Sequence, residues 1–553
     1  MNKDDDRGDA WWTKSFFGLH YDLHAKKEDT ELGAELTHEH LREQLEKVKP
    51  DYVQCDCKGH PGYTSYPTRI GSPSPGIVKD ALRIHRDVTR ELNMPLSVHY
   101  SGVWEKRAVE QHPEWSAIDS EGKPVLDPQG NPGIICLLSP YLDELMIPQM
   151  LEIIDLYDVD GFWVDGDSWA VRDCYCDRCR EAFRKRTGID NPPVDRQHHD
   201  WPAWRSFARE LFTEYVGKYA EAVHGRKPDC AVCSNWMYSM RHPGPVTVPV
   251  DYLSGDFNFR FGAETAEMEG RYLDGHGMPW NLMSWTFTFT TTGSPWQTKT
   301  AVHLCQEAAE VMSCGGGIFL YSVPRRSDLL TDWQHDIFRD TASFCRERQP
   351  FVQNTSSVPE TAVLVGDAHI WHHSTEPFCM GDAYHCIEGA IHVMVENRYH
   401  VDMLDETRLK ERIDGYALVV IGEQNPISPG LEDVLESYVS AGGHLLITGS
   451  HLAEQHPRLT GVVAAGEPRQ EEWCMASRGE TFTLPGPWAP VTPADSTLYA
   501  RVMEHHQLTE PPHAGETEYA GVTIRKVGKG SVAAIHGSFM DPYSRSHNLT
   551  CPQ

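Results

Sequence analysis

Along the first part of the chain, short apolar runs alternate with longer stretches whose apolar positions recur at helical spacing. The short runs read as strands at residues 15–22 (SFFGLHYD), 52–58, 95–100, 161–164, 230–235, 252–256, 280–285 and 316–321. Helical patterns lie between them at 35–49, 76–93, 144–157, 179–187, 201–223, 263–273 and 298–313. The run GFWV at 161–164 is apolar on both faces, as a parallel strand covered on both sides should be. Phe162, Trp163 and Val164 all favour extended backbone. Repeated strand–helix alternation predicts an α/β fold, a closed (β/α)8 TIM-type barrel over residues 1–348. A doubly wound open sheet is the rival, and the lack of a G-x-G-x-x-G after the first strand tells against it.

Residues 349–359 are polar and flanked by proline, which places a boundary there. A second α/β rhythm follows, with strands at 361–365, 417–421 and 444–448 and helices at 383–396 and 430–441. It predicts a small doubly wound, flavodoxin-like domain over 358–465. From 466 the pattern turns to short alternating stretches broken by Pro and Gly, as at 522–526 and 531–536. A β-rich C-terminal domain over 466–553 is expected there.

The net charge of −30 tells against a nucleic-acid or anionic-membrane partner. No apolar run is as long as a membrane span, and the acidic start MNKDDDRGDAWW has no apolar core of a signal peptide. Fifteen cysteines in 553 residues, an odd number, do not form a disulfide framework, so a reduced, cytoplasmic setting is the expectation.

The candidate chemistry sits where the strands should end. His20, Asp22, His60, His99, Asp165, Asp167, Asn235, Trp236, Asp256, Trp285 and Arg325 recur at those exits, with Trp104 in the loop after the third strand. In a barrel that end builds the active site. Carboxylates and imidazoles bond sugar hydroxyls, and indoles cover the apolar ring faces, so a carbohydrate is the expected partner. Glycoside hydrolysis needs two carboxyl groups across the scissile bond. Asp165, in VDGFWVDGD, is one candidate; an Asp-Gly at a strand end is otherwise a common turn. Asp256 is the favoured second, though a helix cap would also explain it, and Glu264 and Glu267 on the following helix are rivals. Cys174, Cys176 and Cys179, in C-x-C-x2-C spacing, could hold a structural zinc with Cys136 as fourth ligand; the alternative is four ordinary reduced cysteines. No cofactor is expected for catalysis.

These residues resemble known families. KGHPGY at 58–63, with Tyr66-Pro67-Thr68 after it, is similar to a motif of the family 29 α-L-fucosidases, and more closely to the "hypothetical glycosyl hydrolase 6" group. That group pairs the motif with a loop like HPEWSAIDSEGKP at 112–124, and FGLHYDLHA resembles the first barrel strand of the same set. Trp163-Val164-Asp165-Gly166 matches the fucosidase W-x-D-G, so the resemblance implies a nucleophilic Asp165 and a sugar contact from His60. The cysteine cluster and the domain from about residue 360 to 462 resemble the family 42 β-galactosidases, whose second domain is a flavodoxin-like (glutamine-amidotransferase-like) trimerisation domain. The resemblance implies a homo-oligomer, dimer or trimer. Family 42 enzymes carry Asn-Glu after the fourth strand and a Glu at the seventh; here Val164-Asp165 and a carboxylate-free NLMSWTF stand there. The expected activity is a retaining exo-glycosidase, most similar to an α-L-fucosidase. A β-galactosidase or another exo-glycosidase is the alternative, and a carbohydrate-binding barrel without catalysis a third reading.

Overall fold

Eight parallel strands form the first body of the protein. A computed structural model describes residues 10–257, 261–289, 296–477, 480–504 and 515–546. The barrel strands are β1 (Phe17–Tyr21), β2 (Tyr52–Lys58), β3 (Leu96–Ser101), β4 (Gly161–Asp165), β5 (Ala231–Ser234), β6 (Leu253–Asp256), β7 (Trp280–Trp285) and β8 (Gly317–Ser322). They pair in the order β5-β4-β3-β2-β1-β8-β7-β6, every ladder parallel. The last seam, between β5 and β6, is closed by two backbone bonds, Asp251 N–H to Val232 O (2.9 Å) and Trp236 N–H to Ser254 O (3.0 Å). The predicted barrel is therefore present.

Large side chains fill its interior, with Tyr52, Trp163, Tyr252, Met283 and Phe319 packed in one cluster. Such a filled core is what an eight-stranded barrel holds in place of a pore. Gly18 in β1 is dictated by this packing: a Cβ there would lie 2.5 Å from the Tyr52 ring. Helices cover the strands where the periodicity placed them, at His38–Val48, Ala81–Glu91, Ile147–Tyr157, Asp177–Thr187, Trp201–Arg226, Gly262–Asp274 and Ala301–Ser313. Four start later than the pattern implies, at His38, Ala81, Ile147 and Ala301. Asp80 caps the second by accepting from Arg83 N–H (3.0 Å), which fixes its first turn at Ala81. A wide π-helical turn, Leu142–Met146, precedes the third, whose Pro148 lacks the N–H an earlier regular turn would need.

The second body begins after residue 356. Its strands are β9 (Thr361–Val365), β10 (Val401–Asp405), β11 (Leu418–Ile421), β12 (His444–Thr448), β13 (Trp473–Ser477), β14 (Glu480–Leu484), β15 (Thr497–Met503), β16 (Glu516–Val527) and β17 (Gly530–Ile535). They form one mixed sheet in the order β10-β9-β11-β12-β17-β16-β15-β13-β14. β10 escapes the sequence pattern because Asp402 and Asp405 interrupt its apolar run. The doubly wound strands and the β-rich stretch expected from 466 meet where β12 pairs in parallel with β17. That pairing lets Val532 and Ala534 enter the same core as Leu445 and Ile447, so the C-terminal strands continue the sheet.

No helix among the described residues is long and apolar enough to cross a membrane.

Candidate active site

At the carboxyl end of the barrel lies a cavity of about 470 Å³. Every strand exit contributes to it: His20 and Asp22 from β1, His60 beyond β2, His99 on β3, Asp165 on β4, Trp236 beyond β5, Asp256 on β6, Trp285 on β7 and Tyr321 on β8. Parallel strands all point the same way, so residues distant in the chain converge on one rim.

Asp165 is held by four donors. Its Oδ1 accepts from Asn235 Nδ2 (2.8 Å) and Trp169 Nε1 (3.0 Å), and its Oδ2 faces His60 Nε2 (3.2 Å) and His99 Nε2 (3.4 Å). Burial opposes ionisation of this carboxyl group. The hydrogen bonds and charge of His60 and His99 outweigh it and hold Asp165 well below the usual carboxylate range.

Asp256 lies across from it. Its Oδ1 accepts from the same Asn235 Nδ2 (3.2 Å), and its Oδ2 from Trp285 Nε1 (3.2 Å). One amide nitrogen thus touches both carboxyl groups, which bounds the separation of the two Oδ1 atoms at about 6 Å, twice a hydrogen-bond length. Burial, reinforced by the Asp165 charge, pushes Asp256 above its ordinary value. Two carboxyl groups beside one cavity are therefore driven apart, one towards the ionised form and one towards the acid.

Behind Asp165, His99 donates or accepts on both ring edges: Nε2 meets Asp165, and Nδ1 meets Asp56 Oδ1 at 3.2 Å with Asp22 Oδ1 at 4.0 Å. Burial favours neutral His99, but the charge of Asp22 and the bonds from Asp165 and Asp56 raise it well above the usual imidazole value. Asp22 pairs with His24 Nε2 (3.1 Å); burial opposes its ionisation, and the imidazoles of His24 and His99 nevertheless hold it low. His20 is the opposite case, since burial lowers it to about 3 and leaves it neutral at working pH. Its Nε2 has no partner among the described residues, although it lines the cavity.

Indoles make the walls. Trp104 stacks on His60 with centroids 4.1 Å apart at 11°, and Trp169 meets Trp104 edge-on at 5.5 Å. Trp236 adopts φ 65°, and a Cβ on Gly255 would lie 2.5 Å from its ring, so that glycine admits the indole at the rim. The Arg241 guanidinium stands 4.4 Å over the same ring.

Three residues expected at the cavity wall, Asp167, Arg325 and Asn235, lie off it. Asp167 does not line the cavity; it is fully buried, and its Oδ2 accepts from Ser234 Oγ (2.7 Å) and Tyr219 OH (2.8 Å). Burial pushes it up to about 7. Gly166, at φ 57°, breaks the strand alternation and turns Asp167 away from the face Asp165 occupies. Arg325 is exposed and also lies off the cavity wall, while its neighbour Arg326 is spent on Asp29 and the Leu23 carbonyl. Asn235 sits beneath the wall and orients both carboxyl groups. Of the rival acids, Glu264 is exposed and Glu267 pairs with Arg271 (2.8 Å); neither lines the cavity. Sequence reasoning missed His24, Asp56, Trp169, Arg241 and Tyr321. The alternation His20-x-Asp22-x-His24 could have marked His24, but His24 has φ 49° and lies outside β1.

Away from the cavity, the sulfurs of Cys136, Cys174, Cys176 and Cys179 all lie within 4.8 Å of one another. Cys136 Sγ is 3.6 Å from Cys176 Sγ and from Cys179 Sγ. Four thiolates around a tetrahedral zinc at about 2.3 Å would stand about 3.8 Å apart, so the donor set and its spacing fit such an ion.

With this geometry in hand, the chain can be set beside known proteins. Residues 37–166 match the family described as hypothetical glycosyl hydrolase 6. The matched stretch spans β2, β3 and β4 with His60, His99 and Asp165. No curated protein matches the chain. Among solved structures it is similar to α-L-fucosidase isoenzyme 2 from Paenibacillus thiaminolyticus, with 17% identity, a TM-score of 0.78, and coverage of 97% of this chain and 82% of that one. It is also similar to the β-galactosidase from Bacillus circulans sp. alkalophilus (13% identity, TM-score 0.71, covering 97% and 88%). A third is the exo-β-1,4-mannosidase Op5Man5 from Opitutaceae bacterium strain TAV5 (12% identity, TM-score 0.59, covering 97% and 94%). At these identities the likeness shows the fold alone.

Proposed function

We propose that the protein is a retaining exo-glycosidase, with Asp165 as nucleophile and Asp256 as acid/base, and that it acts as an α-L-fucosidase. The observation that carries this is the Asn235 amide touching both carboxyl groups. The two Oδ1 atoms joined by the amide lie no more than about 6 Å apart, which supports the roughly 5–5.5 Å carboxyl separation of retaining enzymes over the roughly 6.5–9.5 Å of inverting ones. Asp165, held ionised, attacks the anomeric carbon. Asp256, held as the acid, protonates the leaving oxygen and then takes a proton from the incoming water. His20 and Asp22 line the cavity, and His20 Nε2 and Asp22 Oδ1 have no hydrogen-bond partner among the described residues. The fucose reading is supported by the W-x-D-G context of Asp165 and by the likeness to an α-L-fucosidase. The test is a panel of aryl glycosides with the anomer of the first product read by NMR. Release of fucose with retained configuration is expected; turnover of only another sugar removes the fucosidase assignment, and an inverted product removes the mechanism.

Activity requires Asp165 ionised and Asp256 protonated, so the pH profile is a bell, its acid limb set by the depressed Asp165 and its basic limb by the raised Asp256. Asp56, outside the cavity, sets the first limb through His99. In Asp56→Asn a neutral amide replaces the carboxylate that faces the imidazole, charged His99 is less favoured, Asp165 loses part of its stabilisation, and the acid limb of kcat/KM moves up by about one pH unit. An unmoved limb in a folded variant would refute that chain of influence.

The four-cysteine cluster is a structural zinc site in this reading, with all four positions taken by protein sulfur and none open to substrate. Metal analysis is expected to give one zinc per chain, and Cys176→Ser to lower Tm by at least about 5 °C, since a structural ion adds its binding energy to folding. A metal-free wild type of equal Tm contradicts it. The second body, by its resemblance to a trimerisation domain, makes the protein a homo-oligomer; light scattering at 62.5 kDa would exclude this.

A further inference from the structure

Carboxylates and imidazoles crowd the rim beside β1 to β4. Among the described residues, Asp22, Asp56 and Asp165 make their ion pairs with His24, His60 and His99 alone, and none of the three has a Lys or Arg partner. Within this group, Asp22, His24, Asp56 and His99 each bring one oxygen or nitrogen to within 4.8 Å of the others. Strand register puts three of them together. Asp56 and His99 are direct partners on β2 and β3, and Asp22 follows Tyr21, the β1 partner of Cys55, so all three come from one level of the barrel. His24 reaches the group by a different route. It adopts φ 49°, and a Cβ on Gly59 would lie 2.4 Å from its ring, so a left-handed residue and a glycine are both needed to seat this imidazole.

The polar atoms gathered here do not satisfy one another. Asp22 and Asp56 are only 5% and 6% exposed, yet Asp22 Oδ1 and Asp56 Oδ2 have no hydrogen-bond partner among the described residues. Asp22 Oδ1 is aimed into the group, 4.0 Å from His99 Nδ1. His24 Nε2 stands 3.1 Å from Asp22 Oδ2 and likewise has no hydrogen bond of its own there. Buried carboxylate oxygens left this way are costly unless a cation meets them. The spacing suits one. His99 Nδ1 and Asp56 Oδ1 lie 3.2 Å apart, and ligand atoms held about 2.1 Å from a common ion stand about 3 to 4.2 Å from each other. Imidazole nitrogens mixed with carboxylate oxygens suit a first-row divalent ion such as zinc or manganese. His99 also has the outer contact of a metal-bound imidazole, since its second nitrogen, Nε2, faces the Asp165 carboxylate at 3.4 Å.

We propose that Asp22, His24, Asp56 and His99 bind one divalent first-row transition-metal ion beside the catalytic cavity. The site shares no residue with the four-cysteine cluster. Asp22, His24 and His99 line the cavity and Asp56 lies behind them, so coordination positions not taken by protein face the cavity. The ion takes the place of a proton on His99 Nδ1 and leaves Nε2–H directed at Asp165, which keeps positive charge behind that carboxylate. Equilibrium dialysis of the full-length protein against micromolar Mn²⁺ and Zn²⁺, read by elemental analysis, counts the bound ions. The wild type is expected to hold one ion per chain more than His24→Ala, and one more than Asp22→Asn/Asp56→Asn. Taking the difference removes whatever the cysteine cluster holds, because its ligands are intact in every variant. His24 lies outside β1, so His24→Ala, checked by circular dichroism, carries the test should the buried double substitution fail to fold. The element in excess in the wild type names the metal. Equal metal content in wild type and folded His24→Ala overturns the proposal, as does a wild type that binds no ion. The count involves no turnover, so it stands or falls separately from the glycosidase reading.

Discussion

Asp165→Gly is expected to lower kcat on an aryl fucoside by at least about 10³-fold, because the covalent step has no other nucleophile and the rest of the site can supply only binding. The four hydrogen bonds to this carboxylate come from Asn235, Trp169, His60 and His99, which stay in place when it is removed. The variant therefore keeps a cavity with donors aimed at its centre, and a small anion can enter. Azide added to Asp165→Gly should restore part of the rate and give a glycosyl azide of inverted anomeric configuration. Hydrolysis at the wild-type rate in Asp165→Gly would sink the assignment outright.

Asp256→Gly should behave differently, and the difference is the diagnostic. Protonation of the leaving oxygen contributes roughly 10²- to 10⁴-fold. That contribution matters for a sugar leaving group and little for an activated one such as 2,4-dinitrophenolate, which departs without a proton. kcat/KM is thus expected to fall by about 10³-fold for a disaccharide but by less than about tenfold for the dinitrophenyl glycoside. Azide here attacks the glycosyl-enzyme and gives a product of retained configuration. The basic limb of the pH profile should vanish as well, since the group whose burial and whose neighbour Asp165 raise it has gone. If disaccharide and dinitrophenyl substrates lose the same factor, Asp256 is not the acid.

Much of the fold could be read from the pattern of apolar positions. Strands at 52–58 and 280–285 fall at the observed bounds, because a buried parallel strand and an amphipathic helix have different periods and Gly, Asp or Pro punctuates them. What that pattern leaves out is pairing. The short apolar run of β17, Gly530–Ile535, looks like part of a separate β-rich tail, and only its parallel register with β12 shows it in the core of the preceding α/β sheet.

The site divides in the same way. The sequence by itself determined which residue types reach the rim, since strand ends in a parallel barrel must share one face: His20, Asp22, His60, His99, Asp165 and Asp256 line one cavity. It could not settle which way a rim residue turns. Asp165 and Asp167 are two apart and chemically alike, and the left-handed Gly166 sends one into the cavity and the other beneath it. Nor could it show that Asn235 spans both carboxyl groups or that Asp56 stands behind His99, for those contacts join residues from different strands. Backbone periodicity is local and is written in neighbouring residues. Protonation state depends on burial and on charges brought together across the barrel, and only the closed fold sets these.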